Sequence, residues 1–416
     1  MKPTLLFAPE TFNIAETTRM IEIAKALRDE YECRFSGYSE EYAYLIREAG
    51  FAYHALEPRL SPEQVAWLWK VDRMEAFGNP FKPAMLRARV ASEIALIREI
   101  GAKAVIMGFT LSYWLSARAA KVPLVYVIPF PLSRPFLEAG LGKWPARYAG
   151  FPFSLISRRR LDAWSSSWFL RTRLWIGPFA AVAKELGVAA PERLVDIFEG
   201  DYNLVTDIPE LTGVTKLPDN WRYVGFIYAS LDTPVPPGLL DRRPGRPLIY
   251  CAMGSSANRQ TLEAALRSLG EGDWDVVCPA RKHLGDAPPW LPANVRLTDW
   301  LPAPEVNAVA DAAVIHGGQG TVQTAIMAGK PFVGIGLQPE QEANVEAAVR
   351  FGSALALSPR QVADGSLPAA LRRVLDESGF KEAARRLRDL AADRDGVAGA
   401  AAFVRELVPP VDRSVS

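Results

Sequence analysis

Short apolar runs alternate along this chain with segments whose apolar residues recur at helical spacing, and that alternation restricts the fold more than any other feature. Residues 3–8 (PTLLFA) form the first run, and residues 15–29 then place Met20, Ile23, Ala24 and Leu27 on one helical face. Further runs follow at 51–55, 102–107 (AKAVIM) and 123–128 (PLVYVI), with helical patterns between them. Repeated strand–helix–strand units imply parallel strands in a doubly wound sheet. The alternation halts at 231–247, where Pro234, Pro236, Pro237, Pro244 and Pro247 crowd together with Gly238 and Gly245. Proline has a fixed φ and no N–H, so neither a helix interior nor a central strand fits there. It resumes with LIYCAM at 248–253 and with runs at 274–278, 294–298, 312–315 and 331–335, and terminal helices are expected over 359–376 and 380–407.

The expected architecture is therefore α/β, with two doubly wound parallel sheets facing across a cleft. A first domain covers 1–230, a Pro-rich linker 231–247, a second domain 248–395, and a C-terminal helix and tail 396–416 that packs back on the first domain. Open α/β sheets bind ligands at the carboxyl ends of their strands, which makes the cleft the expected site.

Several functions are excluded by composition. The formal charge is +1, from 48 Lys+Arg against 47 Asp+Glu, without the basic excess that nucleic-acid binding requires. Cys33, Cys251 and Cys278 lie far apart and outline no disulfide framework, so a reducing cytoplasm is expected. The histidines are His54, His283 and His316, too few for a multi-histidine metal centre. The opening MKPTLLFAPETFN breaks at Pro9-Glu10 and lacks a signal-peptide core, and no apolar run is long enough to span a membrane.

Chemistry concentrates in residues 312–344, AAVIHGGQGTVQTAIMAGKPFVGIGLQPEQEAN. A buried strand ends at His316. Gly317, Gly318 and Gly320 let the backbone turn tightly and approach a ligand closely, and Thr321 opens a helix. Free backbone N–H groups and the positive end of the helix dipole then form an anion site, to which His316 is expected to add an N–H. This segment resembles the nucleotide-sugar signature of family 1 glycosyltransferases, which have the GT-B fold of two Rossmann-like domains; the group includes bacterial macrolide and sterol glycosyltransferases. TDWLPAPEV at 298–306 and LIYCAMGSS at 248–256 resemble the family's flanking motifs, in order and at fitting spacing.

The resemblance implies an enzyme that moves a sugar from a UDP- or dTDP-sugar to a small lipophilic acceptor, a natural product or lipid. Such an enzyme inverts the anomeric centre and needs no metal or other cofactor, the nucleotide-sugar being a co-substrate. No Asp-x-Asp metal motif occurs in a loop; Asp273 and Asp275 flank Trp274 at the start of a strand. By the same resemblance, His316, Gly318, Gly320, Thr321, Ser255 and Ser256 hold the diphosphate, Trp300 and Leu301 the base, Thr324 the ribose, and Glu340 and Gln341 the sugar, with Asn344 at the usual interval. Trp300 packed in the core, or Glu340 and Gln341 as a solvated helix start, are the simpler alternatives. Many members carry Glu at the position of Thr324; GTVQTA is closer to the antibiotic enzymes that take dTDP-deoxysugars.

The first domain departs from the family. Asn13 stands where the catalytic His is usual and Glu16 where Pro is usual, while Gly108 replaces the partner Asp. Asn cannot accept a proton at neutral pH. Another base (Glu16 or Glu10), an acidic acceptor, or a catalytically silent auxiliary protein each accounts for the loss, and a nucleotide-sugar 2-epimerase is a further alternative on this fold. Asn13 also suits a helix cap, and the helix dipole is expected to lower the pKa of Glu16.

Residues 131–178 carry eight Lys/Arg against Glu138 and Asp162, interleaved with Trp144, Trp164, Trp168 and Trp175. Such a mix suits peripheral contact with the inner membrane face or a large apolar acceptor; buried tryptophans beside solvated arginines are the alternative. Trp67, Trp69, Phe77 and Phe81 form a second aromatic cluster. His54 ends a short strand and His283 lies after another. Oligomeric state is not legible.

Overall fold

The computed structural model describes residues 2–411 except 77, 146, 147, 149, 230–232, 254–258 and 287. Seven parallel strands form the first sheet: β1 (Thr4–Ala8), β2 (Glu32–Gly37), β3 (Ala52–Ala55), β4 (Ala102–Met107), β5 (Leu124–Ile128), β6 (Tyr202–Val205) and β7 (Trp221–Tyr223). Their spatial order is β3-β2-β1-β4-β5-β6-β7. Six further parallel strands form the second: β8 (Leu248–Ala252), β9 (Asp275–Cys278), β10 (Val295–Leu297), β11 (Ala312–Ile315), β12 (Phe332–Gly334) and β13 (Ala354–Ala356), in the order β10-β9-β8-β11-β12-β13. In both sheets the order reverses beside the first strand, which opens a crevice at the carboxyl ends. This is the doubly wound α/β architecture expected from the alternation.

Strands buried on both faces explain the continuous apolar runs; LVYVI of β5 and LIYCA of β8 are buried at every position. The Pro-rich residues 233–247 hold neither helix nor strand, and Arg243 and Arg246 in that stretch pair with Asp275 and Asp273. The Asp-Trp-Asp sequence thus ties the linker to the second sheet.

The expected terminal helices are each divided. Gly365, at φ +85°, separates Pro359–Ala363 from Leu367–Asp376, and residues 393–395 separate Ser378–Ala392 from Gly396–Leu407. The last helix packs on the first sheet, where Ala400, Ala401, Phe403 and Val404 join Leu5 and Phe7 in one core. Arg405 pairs with Glu30 at 2.6 Å beside it. Among the described residues no helix is long and apolar enough to cross a membrane.

Candidate donor and acceptor sites in the interdomain cleft

The glycine-rich turn begins where β11 ends. His316 is buried, and its Nδ1 lies 3.2 Å from the carbonyl oxygen of Ala252 at the end of β8. A carbonyl only accepts, so Nδ1 carries the hydrogen and Nε2 the lone pair. Burial lowers the His316 pKa to about 4, which leaves the ring neutral at neutral pH. Gly317 has φ +83°, and a Cβ there would stand 2.7 Å from the Gln341 carbonyl oxygen and 2.6 Å from Val345 Cγ2. A Cβ at Gly318 would overlap the His316 ring. The turn therefore admits only glycine at these two positions.

Gly318 starts the helix Gln319–Met327 with no side chain among the described residues capping it, and open space surrounds Gly320. Thr321 Oγ1 donates back to the Gly318 carbonyl at 2.8 Å. The first-turn N–H groups thus remain available to an anion. The helix Pro339–Phe351 closes one side. Asn344 Nδ2 donates to the Gly317 carbonyl at 3.0 Å and to Glu340 Oε1 at 3.3 Å. Gln341 is buried and its Oε1 accepts the Leu337 N–H at 3.0 Å. Burial raises the Glu340 pKa to about 7, the Asp72 charge across the cleft adds to the rise, and Arg19 opposes it.

The first domain faces this turn with the start of helix Ile14–Leu27. Asn13 is its cap, and Oδ1 accepts the N–H groups of Ala15 at 3.0 Å and Glu16 at 3.4 Å. The Glu16 carboxylate turns back toward the sheet, where Oε2 accepts the N–H of Glu10 at 3.1 Å and of Phe109 at 2.8 Å. A Cβ on Gly108 would overlap that oxygen. A carboxylate delivered from the helix therefore occupies the space a side chain at 108 would fill. Behind it, Arg89 lies 4.0 Å from Glu10, and Glu93 accepts from Tyr38 at 2.6 Å, from Ser112 at 2.5 Å and from Ser116. Burial raises the pKa of Glu10 to about 8 and of Glu93 to about 7.

Arg19, Asp72, Thr206 and Arg158 bridge the domains, meeting Gln319, Gln338, Gln319 and Glu342 respectively. Between them a cavity of about 20 Å³, bordered by Asp207, Gln319, Gln323 and Asn344, has room for one water.

Comparison with known proteins fixes what this cleft belongs to. A family model described as the erythromycin biosynthesis protein CIII-like C-terminal domain matches residues 263–401. A PGL/p-HBAD biosynthesis glycosyltransferase of Mycobacterium tuberculosis is 28% identical, over 92% of this chain and 88% of its own. A PGL/p-HBAD biosynthesis rhamnosyltransferase of Mycobacterium bovis is 28% identical, over 94% and 85%. A solved spinosyn rhamnosyltransferase complexed with thymidine diphosphate superposes with a TM-score of 0.65 at 16% identity, over 98% of this chain and all of that one. The chain is a glycosyltransferase of the GT-B fold. The resemblance to the family 1 group, drawn above from residues 248–344, extends along the chain.

The glycosyltransferase brings His316, Gly318, Gly320, Thr321, Glu340, Gln341 and Asn344 together. Three expectations need correction, and a fourth residue, Thr324, has partners of its own. His316 does not offer a spare N–H as a neutral ring, because its hydrogen faces Ala252. Thr324 is buried, donates to the Thr321 carbonyl at 3.1 Å and accepts from Asn307 at 3.3 Å, so its hydroxyl is already engaged within the domain. The Leu301 side chain is packed in the core, leaving only its backbone for a base, whereas Trp300 is 44% exposed and no core residue. The Glu16 pKa is raised rather than lowered, since burial outweighs the hydrogen bonds from Phe109 and Glu10. Ser255 and Ser256 lie outside the described residues.

Sequence reasoning named Glu10 but missed Arg19, Asp72, Asp207 and the Arg89 and Glu93 that stand behind Glu10. Arg19 alone carried a signal, a charge at i−4 from Ile23 on an apolar helical face. In the 131–178 segment Trp175 packs half-buried against the core of the first domain and Trp144 is half-buried, while the other two tryptophans are not core. Trp164 and Trp168 are exposed on helix Arg158–Arg171, beside exposed Phe151, Leu155, Ile156 and Leu174. Arg160, Trp164, Trp168 and Arg171 share one helical face by their spacing. In the second aromatic cluster Trp69 packs edge-on to Phe12 and Phe81 to Phe179; Phe77 lies outside the described residues. His54 and His283 stand apart from the glycine turn, in β3 and in helix Arg281–Leu284.

Proposed function

We infer that the glycosyltransferase is an inverting, metal-independent enzyme that moves a hexose or deoxyhexose from a dTDP- or UDP-sugar to a lipophilic acceptor met at a membrane surface. The observation that carries this reading is the uncapped, glycine-lined start of helix Gln319–Met327, joined through Asn344 to Glu340. The diphosphate sits on the free N–H groups and the sugar hydroxyls meet Glu340 and Gln341. The acceptor oxygen attacks the anomeric carbon from the opposite face while its proton passes to a first-domain carboxylate. Asn13 serves as a cap and Glu16 holds two backbone N–H groups, which favours Glu10 as that base.

A dTDP-sugar is favoured because the Thr324 hydroxyl is engaged within the domain, and the rhamnosyltransferase relative and the thymidine diphosphate complex of the structural neighbour support it. Membrane contact is supported by the exposed apolar residues at 151–174 and by Arg159, Arg160, Arg171 and Arg173, which have no ion-pair partner among the described residues. Arg158 connects this surface to Glu342, next to the sugar-binding pair, so an acceptor leaving a bilayer there arrives at the cleft.

A catalytically silent auxiliary protein is the second reading, favoured by the capping role of Asn13 and by Gly108 in place of an acid. Incubation with dTDP- and UDP-sugars and a panel of lipophilic acceptors, read by mass spectrometry, separates the two. Glycosylated product, with turnover rising toward pH 8 and that rise lost in Glu10→Gln, is expected. Neither product nor slow donor hydrolysis would favour the auxiliary reading.

A further inference from the structure

Arg19 is 5% exposed, on the face of helix Ile14–Leu27 that meets the second domain. Its single hydrogen bond among the described residues goes to a neutral acceptor, Gln319 Oε1, at 2.5 Å. Its Nε is buried and unpartnered. Glu16, Glu340 and Asp207 attract it, yet none lies within the 4.0 Å of an ion pair. A buried cation without an ion-pair partner is costly, and folds seldom keep one without use. Gln319 is the first residue of the nine-residue helix whose start is uncapped. The guanidinium therefore meets the side chain of that helix's first residue with donors of its own unspent, and the turn before the helix carries a neutral histidine.

We propose that Arg19 binds the donor's diphosphate from across the cleft and stabilises it as the leaving group. The inference rests on the donor-site reading above. On donor binding the guanidinium exchanges Gln319 for phosphate oxygens, which suits its planar fork of donors. During transfer the bond from the anomeric carbon to the phosphate oxygen breaks, and its electron pair stays on that oxygen. The acceptor oxygen forms the new bond to carbon, and its proton moves to a first-domain carboxylate. The charge gained by the diphosphate is met by Arg19 together with the helix N–H groups. Because Arg19 belongs to the first domain, the diphosphate also draws the two domains together.

Titration calorimetry with dTDP, ligand-observed NMR with thymidine, and thermal melting of wild type, Arg19→Met and Arg19→Lys test this. Arg19→Met is expected to weaken dTDP on the order of 10- to 100-fold. It should leave thymidine binding unchanged and the melting temperature level or higher, since a buried unpaired charge has gone. Arg19→Lys should recover part of the dTDP affinity. Wild-type dTDP affinity in Arg19→Met would overturn the proposal while sparing the donor site. Equal loss of dTDP and thymidine with a lowered melting temperature would also overturn it, by marking a structural role. A wild type that binds neither dTDP nor UDP would instead sink the donor-site reading beneath it.

Discussion

The turn after β11 and the turn after β1 face each other across the cleft, and each leads from a buried strand into a helix. They treat the helix start in opposite ways. After β11 the capping position is Gly318, and among the described residues no side chain caps the first turn. After β1 it is Asn13, whose Oδ1 covers the N–H groups of Ala15 and Glu16. An open start is a place for an anion brought from outside. A closed start has no such vacancy, and its chemistry passes to side chains: Glu10, Glu16 and Arg19. One turn offers backbone donors and the other titratable groups, a division that would suit a diphosphate donor facing an acceptor of another kind.

The contrast breaks most easily at Gly317. Alanine there must adopt φ +83° with its Cβ 2.7 Å from the Gln341 carbonyl. Left-handed strain and overpacking together predict a loss of about 2–5 kcal/mol. Binding of dTDP should vanish, as measured by calorimetry under conditions where circular dichroism shows the variant folded. Retained dTDP binding would mean the open turn is not the donor site.

A smaller effect tests the opposite turn. Glu16→Ala strands the N–H groups of Glu10 and Phe109 and should cost about 2–4 kcal/mol. Gly108→Ala pushes a methyl group onto the Glu16 carboxylate and should cost about 1–3 kcal/mol. In the double variant the methyl enters the vacated space, so the two losses should fall short of additivity by about 1 kcal/mol or more in denaturant titrations. Strict additivity would show that the carboxylate does not stand in for a side chain at 108.

The carboxyls in and behind the cleft and the histidine of the open turn respond to pH in opposite senses. Folding raises Glu10 to about 8, Glu93, Asp207 and Glu340 to about 7 and Asp72 to about 6. Burial is the main cause in each. The folded form then holds protons that the unfolded chain has released, so stability present at acid pH is lost as pH climbs through those values. His316, lowered from 6.5 to about 4, acts in the reverse sense: its stability is complete above 6.5 and is lost as pH falls toward 4. Above pH 6.5 only the carboxyls act. Scanning calorimetry should therefore show a melting temperature that falls from pH 6.5 to 8, at a free-energy slope of at most about 1.4 kcal/mol per pH unit for each proton. Glu10→Gln should flatten the upper part of that fall. A flat wild-type profile would place ionised, paired carboxylates in the pocket.

Much of the open turn was legible in sequence because its demands are local. Glycines at 317, 318 and 320 and a strand ending at His316 need neighbours only along the chain. Little of the closed turn was legible, because what decides it lies far off in sequence. Glu16 meets Phe109, Glu10 meets Arg89, and Arg19 meets Gln319, partners that only the strand order brings near. The Glu16 pKa went the wrong way for the same reason, since a dipole is visible in sequence and burial is not. The inward turn of the Thr324 hydroxyl was not legible either, because it is set by helical phase and by Asn307, 17 residues away.

The smallest effect separates stability from recruitment at the rim of the cleft. Arg158 pairs with Asp162 at 3.0 Å and Glu342 at 3.1 Å, while Arg159 and Arg160 beside it have no ion-pair partner among the described residues. Arg158 is exposed, and exposed pairs contribute about 0–1 kcal/mol. Arg158→Ala should thus lower stability by less than about 1 kcal/mol, and Arg159→Ala with Arg160→Ala by about zero. Binding to vesicles should rank the other way. Near an anionic bilayer each free basic side chain adds about 1 kcal/mol, so losing Arg159 and Arg160 should weaken sedimentation with phosphatidylglycerol vesicles at low salt more than losing Arg158. Trp164→Glu should weaken it further without changing the melting temperature. Were the paired arginine the one that mattered to vesicles, or were wild type to stay in the supernatant, the exposed aromatic face would have to be read as acceptor lining, and the titratable turn would meet a soluble acceptor.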